Sequence, residues 1–243
     1  MSEKTPYTFI LGGTHGLGAA IADECLARGQ RVIVFGRGGG HQLPGPPEWV
    51  EGTLPLRLEM GCDLRSESGV YDTYRTLEKI YNQKLGMVCT TLYWCAGMLC
   101  RAPFAQIEWN MIRDMFNINL VNGLRFVELM MKFTERGDLP FHLATIASTT
   151  GLSDAPREDE AVYAATKAAQ VSLTRALGKG NKNPKLKVAL FCPGGMQTEF
   201  WRHMPDVDTS SFLDPKKVAA AIVEDVLKQD GPYYERVIPR GSL

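Results

Sequence analysis

A tyrosine and a lysine stand four residues apart in Tyr163-Ala164-Ala165-Thr166-Lys167. The surrounding stretch, Ala161–Gly178, has a helical pattern, so the two side chains share one face, a single turn apart. An isolated phenol titrates at about 10 and exchanges protons poorly at neutral pH. A neighbouring ammonium favours the phenolate and lowers that value, which is the arrangement acid–base chemistry needs. Near the other end of the chain, Gly12, Gly16 and Gly18 punctuate Phe9-Ile10-Leu11-Gly12-Gly13-Thr14-His15-Gly16-Leu17-Gly18, where an apolar run gives way to a helical segment. Glycines at such a turn let the backbone bend sharply, approach a phosphate and pack the helix on the strand. The helix N-terminus then offers unpaired N–H groups to negative charge. A glycine triplet also occurs in turns that bind nothing; its place on the first strand-to-helix turn is what points to a nucleotide.

Both features depend on the elements around them. Tyr7–Leu11, Arg31–Phe35, Leu54–Leu58, Met87–Trp94, Phe141–Ala147, Leu186–Cys192 and Arg236–Ile238 read as strands. Gly18–Gly29, Ser66–Leu85, Trp109–Arg136, Ala161–Gly178 and Pro215–Lys228 read as helices. Strands separated by helices of this length imply parallel crossovers, and continuous apolar strands imply a sheet covered on both faces. The expected fold is α/β, a single doubly wound parallel sheet flanked by helices, with residues 1–243 forming one domain. Gly36–Pro47, rich in glycine and proline, reads as a long loop with at most a short helix around Pro47–Val50.

Composition narrows the function classes. Twenty-seven Lys and Arg balance twenty-seven Asp and Glu among 243 residues, which argues against an electrostatic nucleic-acid binder. The six cysteines (Cys25, Cys62, Cys89, Cys95, Cys100, Cys192) form no C-x-x-C pair and sit mostly in apolar runs, as expected in a reducing compartment. Met1–Tyr7 lacks the basic and apolar regions of a secretion signal, and the apolar run Met87–Leu99 is too short to span a bilayer. A cytoplasmic protein without membrane or nucleic-acid partners is expected. No metal is expected: no second histidine or cysteine lies at ligand spacing from His203, and His142, inside a strand pattern, reads as structural.

The spacing G-x-x-x-G-x-G, followed in order by Asp63-Leu64, Cys95-Ala96-Gly97, Asn119, Ser148, the Tyr163/Lys167 pair and Pro193-Gly194 with Thr198, resembles the short-chain dehydrogenase/reductase family over nearly the whole chain. The resemblance implies a Rossmann-type fold and a hydride transfer between a nicotinamide and a carbonyl or secondary alcohol. It implies that Ser148 binds the carbonyl oxygen, that Tyr163 donates the proton, and that Lys167, with Asn119 and a water, resupplies it. Lys167 would also hold the ribose hydroxyls. Gly12, Thr14, His15, Gly16, Leu17 and Gly18 would cradle the cofactor's phosphates. Asp63 or the Leu64 amide would cap the adenine, although a turn or helix-capping aspartate is an equally natural reading of Asp63. Cys95, Ala96 and Gly97 would lie beside the cofactor, and Pro193, Gly194, Met196 and Thr198 would meet its nicotinamide end. Asn117 and Asn122 are the nearby alternatives to Asn119, and Thr149, Thr150 and Ser153 the less favoured hydroxyls beside Ser148.

Cofactor choice turns on the end of the second strand. Val34-Phe35-Gly36-Arg37 carries no acid to bind an adenosine 2′-hydroxyl, and Arg37 is placed to pair with a 2′-phosphate. His15 stands where NADP-dependent family members often carry a basic residue, so NADP(H) is expected over NAD(H). Residues 199–213, with Phe200, Trp201, Met204 and Phe212, would form a short lid suited to an apolar or aromatic carbonyl, or would pack as core. The acidic run Arg157-Glu158-Asp159-Glu160 slightly lengthens the active-site loop relative to the family, or is simply a solvated loop. Two departures bear on the cofactor loop: Leu11 replaces a usual threonine and Cys95 a usual asparagine, and neither can form the hydrogen bonds that tie the strands together. A non-catalytic NADP-binding sensor or scaffold on the same fold is the alternative, against which stands the retention of all four catalytic positions. Trp109–Arg136 and Ala161–Gly178 correspond to helices that pair in family members, implying a homodimer or homotetramer.

Overall fold

A computed structural model of the chain describes residues 4–37, 55–82, 87–135, 139–153, 157–204 and 206–243. Among them, strands β1 (Thr5–Leu11), β2 (Val32–Gly36), β3 (Arg57–Gly61), β4 (Met87–Trp94), β5 (Phe141–Ile146), β6 (Leu186–Pro193) and β7 (Tyr233–Ile238) form a parallel sheet in the order β3-β2-β1-β4-β5-β6-β7. The helices are α1 (Gly16–Ala27), α2 (Glu67–Asn82), α3 (Trp109–Phe116), α4 (Asn122–Glu135), α5 (Ala161–Lys179) and α6 (Pro215–Lys228).

Alternation along the strands supplies both faces of the sheet. Ile10, Val32 and Val34 pack with Ile21 and Cys25 of α1 and Val218 and Ile222 of α6. Phe9, Leu11, Ile33 and Phe35 turn the other way, towards Val70 and Leu77 of α2 and Phe126 and Phe133 of α4. The Phe35 and Phe126 rings meet edge-on at 4.9 Å. Local signals mark the ends of some helices: Asp214 accepts a hydrogen bond from the Lys216 amide, and Pro215 occupies the first turn of α6. The strand order reverses between β1 and β4, opening a crevice at their C-terminal ends where doubly wound sheets bind ligands.

The expected doubly wound sheet is present, with three local differences. The long helix expected over Trp109–Arg136 is broken by a π turn at Asn117–Val121 between α3 and α4. β7 begins at Tyr233, three residues earlier than expected, because the first four residues of this edge strand are half-buried and lack an apolar signature. β3 runs 57–61 instead of 54–58; only Met60 of its residues is buried, so its apolar pattern was equally weak. The glycine- and proline-rich stretch 38–47 and the short helix considered at 47–50 lie outside the described residues. Among the described residues, no helix is long and apolar enough to cross a membrane.

Candidate active site

The turn between β1 and α1 forms one wall of the crevice. Gly12 has φ +83°, and a Cβ there would lie 2.6 Å from the backbone N and Cα of Ala96. A Cβ on Gly18 would lie 2.1 Å from the Gly12 carbonyl oxygen, so the helix packs onto the turn only without a side chain. A cleft of about 540 Å³ opens at the start of α1, lined by Thr14, His15, Gly16, Gln197, Thr198 and Glu199 among others. His15 Nδ1 lies 3.0 Å from Thr14 Oγ1. This close-packed glycine turn, ending in a helix N-terminus at an open cleft, fits a dinucleotide pyrophosphate.

The two departures leave that geometry standing. Leu11 is buried in the core between the sheet and α4, and its carbonyl accepts a hydrogen bond from the Cys95 amide at 2.9 Å. The main chain thus ties β1 to β4 without the usual side chains. Burial pushes the Cys95 thiol well up, against the lowering influence of the nearby Lys167 charge.

Beyond β3, Asp63 is a turn residue. Its carboxylate accepts from the backbone N–H of Arg65 at 3.0 Å and from the Arg65 guanidinium at 2.6–3.0 Å. The guanidinium holds this carboxyl below its ordinary range, against partial burial, with smaller help from the Arg65 amide and the charge of Arg37. Arg37 itself is exposed just beyond β2. Asn117 and Asn122, the alternatives to Asn119, donate to the carbonyls of Arg65 and Leu64 at 3.1 and 2.8 Å and so brace this loop.

At the chemical end, the π turn and α5 meet. Asn119 is fully buried; its Oδ1 accepts from the Met98 amide at 2.6 Å, and its Nδ2 donates to the Met98 carbonyl and to Thr166 Oγ1. Lys167, also buried, donates from Nζ to the Ile146 carbonyl at 3.1 Å and to Gln170 Oε1 at 2.8 Å. Its Nζ lies 5.8 Å from the centre of the Tyr163 ring. A Cβ on Gly97 would lie 3.5 Å from that nitrogen, so Gly97 directly borders Lys167. Ser148, just past β5, accepts from the Thr150 amide, and its hydroxyl is close enough to the Tyr163 phenol to favour the phenolate. Asn119, Ser148, Tyr163 and Lys167 are thereby gathered at one place in the fold.

The electrostatics differ from the sequence expectation. Burial pushes the Tyr163 phenol well up, the Ser148 hydrogen bond pulls it back, and the charge of Glu160 raises it further. The expected lowering by the lysine does not prevail, because both groups are buried and removal from water penalises each charged form. Burial likewise brings Lys167 down to about 8.

The acidic run is solvated at Arg157 and Glu158 but acts as a clamp through Asp159 and the buried Glu160. Arg101, beyond β4, pairs with Asp159 at 2.5 Å and with the buried Glu160 at 3.4 Å, and Arg157 also pairs with Glu160. Glu158 accepts from the Phe104 amide at 2.5 Å. The clamp joins the segment after β4 to the start of α5, and between them lies an apolar wall. Met98, Leu99, Cys100, Ile107 and Phe200 pack with Val162 and Tyr163. The segment 199–213 divides accordingly. Phe200 faces Tyr163 with ring centres 6.3 Å apart, whereas Trp201 packs edge-on against Phe212 at 5.2 Å and donates to the Met196 carbonyl. Gly194 is fixed by its amide on the Ile238 carbonyl at 2.9 Å, just past Pro193.

Thr166 and Gln170, which bond to Asn119 and Lys167, and Glu160, whose charge bears on Tyr163, were passed over by motif reading. Thr166 and Gln170 follow Tyr163 at the third and seventh positions, so helical spacing alone places them on its face. His142 is structural: its Nε2 lies 2.8 Å from Gln229 Oε1, and burial brings it down to about 4. His203 Nε2 is within hydrogen-bond distance of Arg202 Nε, 2.9 Å away.

A family profile described as short chain dehydrogenase matches residues 7–208. The human 3-oxoacyl-[acyl-carrier-protein] reductase is 24% identical over 222 residues, covering 88% of each chain. A structure of 4-hydroxyisoleucine dehydrogenase complexed with NADH superposes with a TM-score of 0.78 at 18% identity, covering 99% of this chain and 98% of that one. ElxO with NADP bound gives a TM-score of 0.76 at 19% identity over 98% of both chains.

Proposed function

The chain belongs to the short-chain dehydrogenase/reductase family, whose members are oxidoreductases using nicotinamide cofactors, and on that premise we propose that it is an NADP(H)-dependent reductase of an apolar carbonyl, or dehydrogenase of the matching alcohol. The observation that carries this reading is the meeting of Tyr163, Ser148 and Lys167 beside an apolar wall at the crevice.

The cofactor, when bound, supplies or accepts the hydride. Gly12, Thr14, His15, Gly16, Leu17 and Gly18 would hold its phosphates, and Arg37 its adenosine phosphate. Asp63 and Leu64 would hold its adenine, and Cys95, Ala96, Gly97, Pro193, Gly194, Met196 and Thr198 its nicotinamide half. Tyr163 is the proton donor: raised by burial, the phenol stays protonated at neutral pH and is ready to give its proton to a carbonyl oxygen gaining charge. Ser148, close to that phenol, donates to the same oxygen. Lys167 supplies positive charge beside the tyrosinate left behind and would reach the ribose side past Gly97. Asn119 fixes the segment at Met98 that borders the substrate. Met98, Leu99 and Phe200 exclude water and favour an apolar substituent on the carbonyl.

NADP(H) preference rests on Arg37 and on the absence of an acid at the end of β2. Self-association through α3–α4 and α5 is part of the same reading, supported by Trp109 and Val121, which are 75% and 52% exposed. Steady-state oxidation of NADPH and NADH over a panel of aliphatic, aromatic and acyl-thioester ketones tests the proposal. No turnover of any member with either cofactor defeats it, and higher kcat/KM with NADH defeats the cofactor assignment. Light scattering after size exclusion tests self-association, and a monomer defeats it.

A further inference from the structure

Gln170 is fully buried one turn beyond Lys167, at a position where a buried carboxamide is costly unless its polar atoms are paired. They are paired with two members of the site. Oε1 accepts from Lys167 Nζ at 2.8 Å, and Nε2 donates to the main-chain carbonyl of Asn119 at 2.6 Å. That carbonyl lies in the π turn, where the ordinary helical ladder is interrupted and a carbonyl is available to an outside donor. Thr174 Oγ1 in turn donates to the Gln170 carbonyl at 2.7 Å, anchoring the residue from the next turn of α5.

We infer that Gln170 is a positioning residue of the site, a fixed carboxamide bridge between the Lys167 ammonium and the Asn119 carbonyl that takes the place expected of a water. The inference rests on reading Tyr163 and Lys167 as the proton-donating pair. A water in this position can pass protons, and it can exchange with solvent. A carboxamide does neither readily, but it holds both partners at set distances without needing solvent. The bridge therefore fixes Lys167 beside Tyr163 and ties α5 to the π turn that carries Asn119. It also supports the charged form of Lys167, since a hydrogen bond accepted from an ammonium favours the protonated state. The other groups facing that ammonium are neutral or weakly acidic: the Ile146 carbonyl from β5, the Cys95 thiol after β4, the Cys192 thiol from β6, and Tyr163, which feels Glu160.

The test reads Lys167 itself and needs no substrate. In protein labelled with 13C-lysine, the Lys167 Cε signal, assigned by its loss in Lys167→Arg, is titrated by NMR. Gln170→Met keeps the volume and removes both hydrogen bonds; the Lys167 midpoint should fall by about one pH unit. Gln170→Glu places a carboxylate on the ammonium, and the midpoint should rise by at least as much. A residue that merely fills space would not move the Lys167 midpoint in opposite directions in the two variants. In the unmodified protein, the side-chain amide signals of Gln170 should titrate with the same midpoint as Lys167 Cε, a check that stands even if a variant fails to fold. Coincident midpoints in parent and variants, or a Gln170 amide indifferent to the Lys167 titration, would overturn the inference. Neither result depends on turnover, so either is separable from a failure of the proposed activity.

Discussion

The Lys167 ammonium nitrogen lies 5.8 Å from the centre of the Tyr163 ring, and both residues are more than nine-tenths buried. Four positions of α5 separate them, which brings them to one face of the helix at adjacent turns. Their shared burial works against both charged forms: the phenol resists losing its proton and the ammonium resists keeping it. The pair is thus set to give a proton from tyrosine, with the lysine charge available at neutral pH and lost in mild alkali.

Removing the phenolic oxygen tests the donor directly. Tyr163→Phe should lower kcat by about 10²–10⁴-fold, the usual contribution of a placed acid. Ser148→Ala should cost about 10²-fold or more, as does loss of one donor to a developing oxyanion. Both variants are to be measured on whichever carbonyl the panel identifies; a Tyr163→Phe protein with parental kcat contradicts the assignment.

Activity and stability should part company in alkali. Lys167 has its folded value depressed to about 8 from an ordinary 10.5. Between those values the unfolded chain binds more protons than the folded one, so this group's contribution to stability grows with rising pH and shrinks as pH falls through 8. The charge that assists Tyr163 moves oppositely, and kcat should fall as pH rises through about 8. Rate profiles run beside thermal melts check the point: a melt collapsing together with the rate would mean unfolding, not lysine deprotonation.

The clamp formed by Arg101 and Glu160 supports the start of α5. Arg101→Leu would leave the Glu160 carboxylate, 3% exposed, with Arg157 as its remaining charge partner. Because Arg101 is itself 27% exposed, the loss should be about 2 kcal/mol, less than for a fully enclosed pair. Denaturant unfolding measures it, and KM for the carbonyl should rise, since the same contacts border the apolar wall. An unchanged unfolding midpoint contradicts the clamp.

Arg37 is the residue on which cofactor preference turns. Arg37→Ala should lower kcat/KM for NADPH by about tenfold and leave NADH nearly unchanged, as expected for loss of one exposed charge-assisted contact to a phosphate. Equal losses with both cofactors would remove Arg37 from the 2′-phosphate site.

On the acid side, His142 should limit stability. It is held neutral by burial, at about 4 instead of 6.5, so its contribution is complete above 6.5 and is lost as pH falls towards 4. The loss amounts to about 3 kcal/mol at most. Comparing unfolding free energies of the parent and His142→Gln across that interval isolates it; parallel curves would assign the acid sensitivity elsewhere.

What the sequence by itself determined was whatever local chemistry encodes. Alternating apolar strands and helices specified a doubly wound parallel sheet, because burial on both faces needs continuous apolar runs. The glycines at 12 and 18 marked a turn in which backbone meets backbone, and helical spacing put Tyr163 and Lys167 on one face. What only the tertiary structure decided was which distant groups meet. Glu160 reads as one acid in a polar run, yet it is buried because Arg101, fifty-nine residues earlier, folds against it. Leu11 and Cys95 are joined through main-chain atoms that no side-chain pattern reveals. Gln170 looks like an ordinary helical polar residue until the π turn presents the Asn119 carbonyl to it. A partner's identity is set by packing between segments far apart in the chain, and that information lies in the fold, not in any single stretch of residues.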